Sequence, residues 1–376
     1  MGMTHFRFDQ ALTDSFIRFG YDIHRGDKNW IPPLRKVLHV QLSPEFPFYQ
    51  RRGNCHMHFL AIAGSQIVGR ITAMVNSDLR DKDGTSVGII GFFECVDDYH
   101  VAEELMHSAT RWLRDQEGIN HIWGPMNFDI WHGYRLMTRG FEQKLFFGEP
   151  YNKPYYMDFY ERFGFIPKQH WHSVEVCGHE NLEKMIAPGA ERYGQLRKQG
   201  YRFTEFNMRR FSDEIGKLHS VLVKSFGGFL GFSPISPDEL ERLFRTSRYA
   251  FHPGFFTFVY DEQNTLAGFA GAFLELSAAV RAMNGKDNAI ARWKFLRRRR
   301  QVNRILFHIG GMTPEEAKKR NGLGRAGFYH IMRQILEEGY ETVLVALMAE
   351  GNRVRGLLKE HVADTRRQYT LYELQP

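Results

Sequence analysis

An α/β protein made of two copies of one plan is the fold class this sequence predicts. Three observations lead there. Short runs alternating apolar and polar residues mark strands, and runs with apolar residues three and four apart mark helices. Glycine or a polar pair closes nearly every such run. The order of runs in residues 1–180 then recurs in 195–376.

In the first half, "HFLAIAGSQIVGRITAMVN" (58–76) reads as two strands joined at Gly64-Ser65. "VGIIGFFECV" (87–96) is a third, more buried strand. The following helix carries Val101, Leu105, Ala109, Trp112 and Leu113 at helical spacing and stops at Gly118. "INHIWGPMN" is a short strand, "YMDFYERFGF" a helix closed by Gly164, and "HWHSVEV" a last strand.

The second half repeats the order. "FFTFVYDEQNTLAGFAGAFLEL" (255–276) is a strand pair turning at Asp261–Asn264, and "RILFHIGGM" (304–312) is the third strand. "AGFYHIMRQILEEG" is a helix with Phe328, Ile331, Met332, Ile335 and Leu336 on one side and Gly339 as its stop. "ETVLVALMAEGN", "RVRGLLKEH" and "RRQYTLYEL" complete the set. Each half is thus expected to hold a mixed, mostly antiparallel sheet flanked by helices. The boundary is expected near 178–194, where Pro188-Gly189 breaks the pattern.

Composition excludes several classes. The 376 residues are 43% hydrophobic and 25% charged, a globular balance. Cys55, Cys95 and Cys177 match no zinc or redox spacing, which favours a reducing compartment. The pairs His56/His58 and His170/His172 lack a third ligand, so no metal is expected. The first ten residues have no apolar core, and the longest apolar run is about half a membrane span, so a cytoplasmic protein is expected. The net charge of +7 suits an anionic ligand or surface. No aromatic-plus-basic motif for RNA stands out, and nucleic acid is not an expected partner.

The halves differ in two places. Only the second has an insertion, roughly 277–303, whose Val280, Met283, Ile290, Trp293 and Leu296 form an apolar stripe ahead of "KFLRRRR". It reads as a lid, an acceptor-binding element or a segment resting on anionic lipid. Only the second half, too, has glycines between its third strand and its long helix, in "KKRNGLGRAGFYH" (318–330). A helix N-terminus offers unpaired N–H groups and roughly half a positive charge. Glycine lets a phosphate approach that backbone. The equivalent junction in the first half is "DDYHVAEEL", acidic and without glycine. The glycine segment matches neither the Walker loop nor the dinucleotide fingerprint.

Lys319-Arg320-Asn321-Gly322-Leu323-Gly324 resembles the [Q/R]-x-x-G-x-[G/A] loop of the GNAT acyltransferase superfamily, with lysine in the first place. "FYERFGF" resembles that family's closing helix and strand. "NWIPPLR" and "GPMNFDIWHGYRLMTRGF" resemble stretches of a bacterial group of tandem members. The resemblance implies two GNAT-like domains in tandem, 1–180 without a coenzyme A site and 195–376 with one. It implies that Lys319, Arg320, Asn321, Gly322, Leu323, Gly324, Arg325 and Ala326 hold the diphosphate of acetyl-CoA or another acyl-CoA. Ile309, Gly310, Gly311 and Met312 would flank the pantetheine arm, and Asn352 would sit after the fifth strand.

The implied activity is N-acyl transfer, most simply acetyl transfer, from coenzyme A to a small-molecule or peptide amine. A backbone N–H near Gly310 or Gly311 would polarise the thioester oxygen. His308 is the candidate base, because on an alternating strand it shares a face with Gly310 and Met312. Glu275 on the preceding strand is the second candidate. Where family members place a tyrosine acid, this chain has Leu357 and Leu358, which leaves His361, Tyr369, Tyr372 or solvent. Asn127–Arg135 is a candidate acceptor wall at the domain junction. Two other readings stay open: a silent coenzyme A or anionic-surface binder, and a tRNA-dependent aminoacyl transferase. Acceptor and oligomeric state are not legible.

Overall fold

The computed structural model describes residues 1–351, Leu358 and 367–376. The first half runs β1 (Gly2–Phe6), α1 (Gln10–Asp22), α2 (Arg35–Gln41), α3 (Pro47–Gln50), β2 (Cys55–Ala63), β3 (Gln66–Arg80), β4 (Ser86–Cys95), α4 (Tyr99–Arg114), β5 (His121–Gly124), β6 (Leu136–Arg139), α5 (Tyr156–Phe163) and β7 (Ile166–Cys177). The second runs α6 (His179–Lys198), β8 (Arg202–Glu205), α7 (Phe211–Phe226), α8 (Pro237–Thr246), β9 (Phe256–Tyr260), β10 (Leu266–Leu274), α9 (Ser277–Met283), α10 (Ala289–Arg299), β11 (Arg304–Met312), α11 (Pro314–Lys319), α12 (Leu323–Glu337), β12 (Thr342–Ala349) and β13 (Arg367–Leu374).

Local chemistry sets most boundaries. Gly64 (φ 61°) and Asn264 (φ 64°) turn the β2–β3 and β9–β10 hairpins. Asp9, Asp98 and Asn288 cap α1, α4 and α10 by accepting backbone N–H bonds, and Ser236 with Glu239 forms a capping box on α8. The break expected at Pro188-Gly189 is absent: α6 passes through both. Gly189 instead lets α6 lie against α12, since a Cβ there would fall 2.7 Å from that of Tyr329.

Among the described residues thirteen strands join one sheet, along the path β1-β2-β3-β4-β5-β13-β7-β12-β11-β10-β9-β8, with β6 on β13. Parallel pairing occurs at β4–β5 and at β11–β12, one place in each half. The two halves exchange their last strands. β13 pairs with β5 of the first half, and β7 pairs with β12 of the second. β13 and β7 also pair with each other, which makes the sheet continuous.

The expected domains are therefore contiguous in sequence but not in the sheet. Residues 1–180 alone leave facing edges of β5 and β7 unpaired, a row of buried N–H and C=O groups without partners. That fragment is expected to show no cooperative thermal transition by circular dichroism, and co-expression with 195–376 is expected to restore one. A sharp melt of the isolated fragment would contradict this topology.

The insertion forms α9 and α10, separated by Asn284 and Gly285 at positive φ. The expected single stripe is split. Met283 is buried, while α10 turns Ala291 and Phe295 inward and leaves Ile290, Trp293 and Leu296 exposed. Among the described residues no helix is long and apolar enough to cross a membrane.

Candidate active site

β11 and β12 run side by side only from Arg304–Thr342 to Phe307–Val345. Beyond that, residues 309–312 pair with β10 alone, and the end of β12 stays with β7. The strands open into a fork whose β11 edge carries backbone groups with no strand beside them among the described residues. Both arms are bulged at the opening. On β11, Gly271 faces Ile309 and Ala272 faces Phe307, so His308 is the extra residue. On β12, Val345 faces Val174 and Met348 faces His172, with Leu347 at φ 55°. The Leu347 amide donates to Ser173 Oγ at 2.9 Å, which anchors that bulge.

A cavity of about 1960 Å³ occupies the fork. That is roughly twice the upper range for sites that hold one small ligand. At one end lies the glycine segment. Gly322 is the N-cap of α12 at φ 81°, and a Cβ there would meet Arg192 Cγ at 2.8 Å. Asn321 positions the turn: its Oδ1 accepts from Leu323 N at 3.1 Å, and its Nδ2 donates to the Tyr201 hydroxyl at 3.0 Å and to Glu316. The amides of Gly324 and Arg325 belong to the first turn and have no carbonyl within the helix to meet. Arg192, Arg320 and Arg325 stand in the same wall.

The other end is apolar. Phe226 and Phe229, at and just past the end of α7, stand there with Phe244, Phe251, Phe269 and Phe273. Trp131 closes this end from the first half, stacked on Phe226 and donating from its indole to Ser233 O at 2.8 Å. Ile130 to Arg135 all line the cavity, so the segment read as an acceptor wall reaches it across the sheet.

Arg135 is the group that sequence reasoning did not single out. It is buried at φ 81°, and its guanidinium lies over Tyr134 (3.8 Å) and Trp171 (4.3 Å). Burial opposes its charge, and aromatic faces take the place of water. Among the described residues no carboxylate pairs with it. Burial first, and the Arg135 charge second, hold the His308 imidazole down at about 4. The imidazole is exposed at its surface and lines the cavity. At neutral pH it is uncharged, with a lone pair available.

Glu149 is a second ionisable group in the wall. It accepts from Phe146 N at 2.9 Å and from the Tyr369 hydroxyl, with Arg367 Nε at 3.2 Å. Burial pushes it up to about 7 although Arg367 pulls the other way. Asp129 accepts from His132 Nδ1 at 2.7 Å, which leaves the other ring nitrogen of His132 available at the cavity wall. No motif spacing announces Glu149, because its relation to Arg367 and Tyr369 depends on the strand exchange, whereas Asp129 and His132 are only three residues apart.

Of the residues expected to act, His308, Ile309, Gly310, Gly311, Met312, Arg320, Asn321, Gly322, Leu323, Gly324 and Arg325 line the one cavity. Glu275 does not. Its carboxylate accepts from Phe147 N, Ser277 N and Ser277 Oγ at 2.8–2.9 Å, and Arg304 Nη1 lies 3.4 Å away. One of these bonds, from Phe147 N, joins the two halves, and the carboxylate is already engaged by four donors outside the cavity lining. Lys319 is turned away from the cavity, bound to Glu316 at 2.8 Å, because that carboxylate is almost wholly buried and needs a cation. Ala326 is buried, its amide donating to Gly322 O within the helix. Tyr369 and Tyr372 donate their hydroxyls to Glu149 and Glu161. Asn352, Leu357 and His361 lie outside the described residues.

The fork of the first half is filled. Phe92, at φ 49°, is part of the bulge on β4 opposite Ile71, and its amide donates to Asn127 Oδ1 at 2.7 Å. Met126 N donates to Ile90 O at 2.8 Å, so the 126–128 segment continues along β4 where a ligand arm would lie. A Cβ on Gly91 would sit 2.3 Å from Met126 O. Phe128 packs into the space against Phe46, Phe48 and Phe92. At the N-terminus of α4 the Asp98 carboxylate already accepts from His100 N, which places a negative charge where an anion would bind.

Among the described residues neither histidine pair belongs to a group of three converging metal-ligating side chains. The His56 and His58 rings lie 4.8 Å apart, inclined at 59°, in an aromatic core, and His58 bonds Thr72 Oγ1 at 2.8 Å. Asp81, His121 and Glu373 converge elsewhere, but Lys168 Nζ sits 2.9 and 2.8 Å from the two carboxylates and supplies the positive charge.

No family profile matches the chain. In sequence it is 26% identical to protein YghO of Escherichia coli (strain K12) over 279 residues, 72% of this chain and 68% of that one. It is 23% identical to a bacterial ceramide synthase of Caulobacter vibrioides over 95% of this chain and 93% of that protein. In structure it is similar to a tandem GNAT protein from the clavulanic acid biosynthesis pathway. The TM-score is 0.52 at 9% identity, over 100% of this chain and 98% of that one. With one parallel strand pair per half, a bulged fork and a glycine turn opening the long helix of the second half, the chain has the tandem GNAT fold.

Proposed function

We propose that the second half binds an acyl-CoA in the β11–β12 fork and transfers its acyl group to the amine of a long-chain amphiphile. One observation carries this reading: a single cavity joins the glycine turn and its three arginines to the open edge of β11 and then to an aromatic, apolar end. The diphosphate belongs at the turn, the thioester beside residues 308–312, and hydrocarbon against Phe226, Phe244, Phe251 and Phe273. A cavity this large exceeds what an acetyl group and a small amine require. A relative matched over nearly its whole length is named a ceramide synthase, and ceramide is an N-acylated long-chain amino alcohol.

In this reading the amine nitrogen attacks the thioester carbonyl carbon and the C–S bond breaks. The nitrogen loses a proton and the departing thiolate gains one. His308, uncharged at neutral pH, accepts the proton at its free ring nitrogen and returns it to the sulfur. Arg135 beside it stabilises the negative charge that develops on oxygen and then on sulfur. The first half supplies the wall 130–135 and no donor site, its own fork being filled.

The test is calorimetry with acetyl-CoA, palmitoyl-CoA and free coenzyme A, followed by thiol release with a panel of small amines, a lysine peptide and a long-chain amino alcohol. Tighter binding of the long-chain thioester, and turnover with the long-chain acceptor, are expected. His308→Gln is expected to lower kcat on the order of a hundredfold with acyl-CoA affinity kept. Binding without turnover for any acceptor would make the protein a silent binder. No coenzyme A binding, with RNA binding that weakens steeply with salt, would favour the tRNA-dependent reading.

A further inference from the structure

We propose that α10 docks the protein on an anionic lipid bilayer. This surface is separate from the acyl-transfer cavity and does not depend on its chemistry. Ile290, Trp293 and Leu296 are 66%, 59% and 50% exposed, a degree of exposure that large apolar side chains rarely show together. At 100° per residue they span about 120° of the helix, opposite the buried Ala291 and Phe295. The same arc carries Arg297 and Arg300, with Lys294 at its border. Residues 289–300 hold six cations and no carboxylate.

Few of these charges are neutralised by the protein itself. Arg292 pairs with Asp287 at 2.8 Å, and Arg299 donates to Tyr249 O at 2.9 Å. Lys294, Arg297 and Arg300 take part in none of the ion pairs among the described residues. Apolar side chains between cations on one helix face match a bilayer interface, where rings and aliphatic chains enter the headgroup boundary and guanidinium groups meet phosphates. A second copy would bring six like charges together, and a nucleic acid would leave the apolar triad without a partner.

The position gives this surface a use. α10 packs on the turn before β9: Phe295 touches the Tyr249 ring at 5.7 Å, and Tyr249 is itself 45% exposed. Ser247, Ala250 and Phe251 on that turn line the apolar end of the cavity. The membrane face and the hydrocarbon end of the cavity thus share one wall, which brings a lipid substrate to the cavity without crossing water.

The experiment uses the full chain without any acyl substrate, so its result stands apart from that of the acyl-transfer assay. Co-sedimentation is measured with vesicles of phosphatidylcholine alone and with about 30% phosphatidylglycerol added. Two variants are compared, Ile290→Ser/Trp293→Ser/Leu296→Ser and Arg297→Glu/Arg300→Glu. Binding to the anionic vesicles that falls at least about tenfold in each variant, with unchanged melting, is expected. Equal binding to the neutral vesicles, or unaltered binding by both variants, would overturn the proposal. So would a triple variant that converts a dimer to a monomer in lipid-free sedimentation, since the face would then be covered by a second copy.

Discussion

Gly322→Pro is expected to weaken acyl-CoA binding on the order of a hundredfold or more while the protein stays folded. Gly322 sits at φ 81° and ψ 19°, and proline holds φ near −65°. The turn cannot keep its shape with that ring, so the amides of Gly324 and Arg325 lose their common direction. The Arg192 side chain, against which any Cβ at this position would press, must also move. Loss of two charge-assisted hydrogen bonds of roughly 1.5–3 kcal/mol each gives the expected size. Gly322→Ala is expected to fall between, because alanine tolerates positive φ at a cost of about 1 kcal/mol. Calorimetry with acyl-CoA reads the affinity, and circular dichroism confirms the fold. An unchanged dissociation constant for Gly322→Pro would remove the diphosphate from the start of α12.

Acidification is expected to destabilise the protein strongly between pH 6.5 and 4. Burial holds His56 and His330 down at about 4 and His58 well below its ordinary value. In the unfolded chain each takes a proton near pH 6.5. The stability these neutral rings contribute is therefore complete above 6.5 and is lost as pH falls towards 4. Each costs about 2 kcal/mol at pH 5, a large share of the roughly 5–15 kcal/mol a fold commands. Glu149 acts in the opposite sense. Its raised folded value makes its ionisation unfavourable as pH climbs from 4.5 towards 7, so acid relieves part of the loss. These three histidines, together with His308, outweigh one carboxyl.

A fall in Tm on the order of 5–10 °C from pH 7.5 to pH 5 follows. His330→Phe isolates one contribution. The ring stacks on Tyr193 at 5.4 Å, and neither nitrogen has a partner, so phenylalanine keeps the packing and removes the titration. The variant is expected to show a smaller pH-dependent loss than the parent. A parallel shift of both curves would show that His330 does not titrate on unfolding.

Much of this molecule is legible in one dimension. Strand alternation, helical spacing and the glycines at 64, 164 and 339 locate the elements, because each depends on residues within one turn or hairpin. The Gly322 turn is legible for the same reason: a positive φ, a helix start and a basic flank are all local. The apparent break at Pro188 misleads because the pressure that keeps α6 whole comes from α12, more than a hundred residues away.

What the linear order determined by itself is the doubled α/β plan and the placing of one glycine turn in the second copy only. Tertiary structure alone decided four things. It exchanged β7 and β13 between the halves, packed Phe128 into the first fork, tied Glu275 to Phe147 of the other half, and put Arg135 in the same cavity wall as His308. The reason is physical. Backbone propensity and capping act over a few residues, whereas the choice of neighbouring strand and the burial of a charge are settled between segments as much as 250 residues apart, where no periodic pattern records the partner.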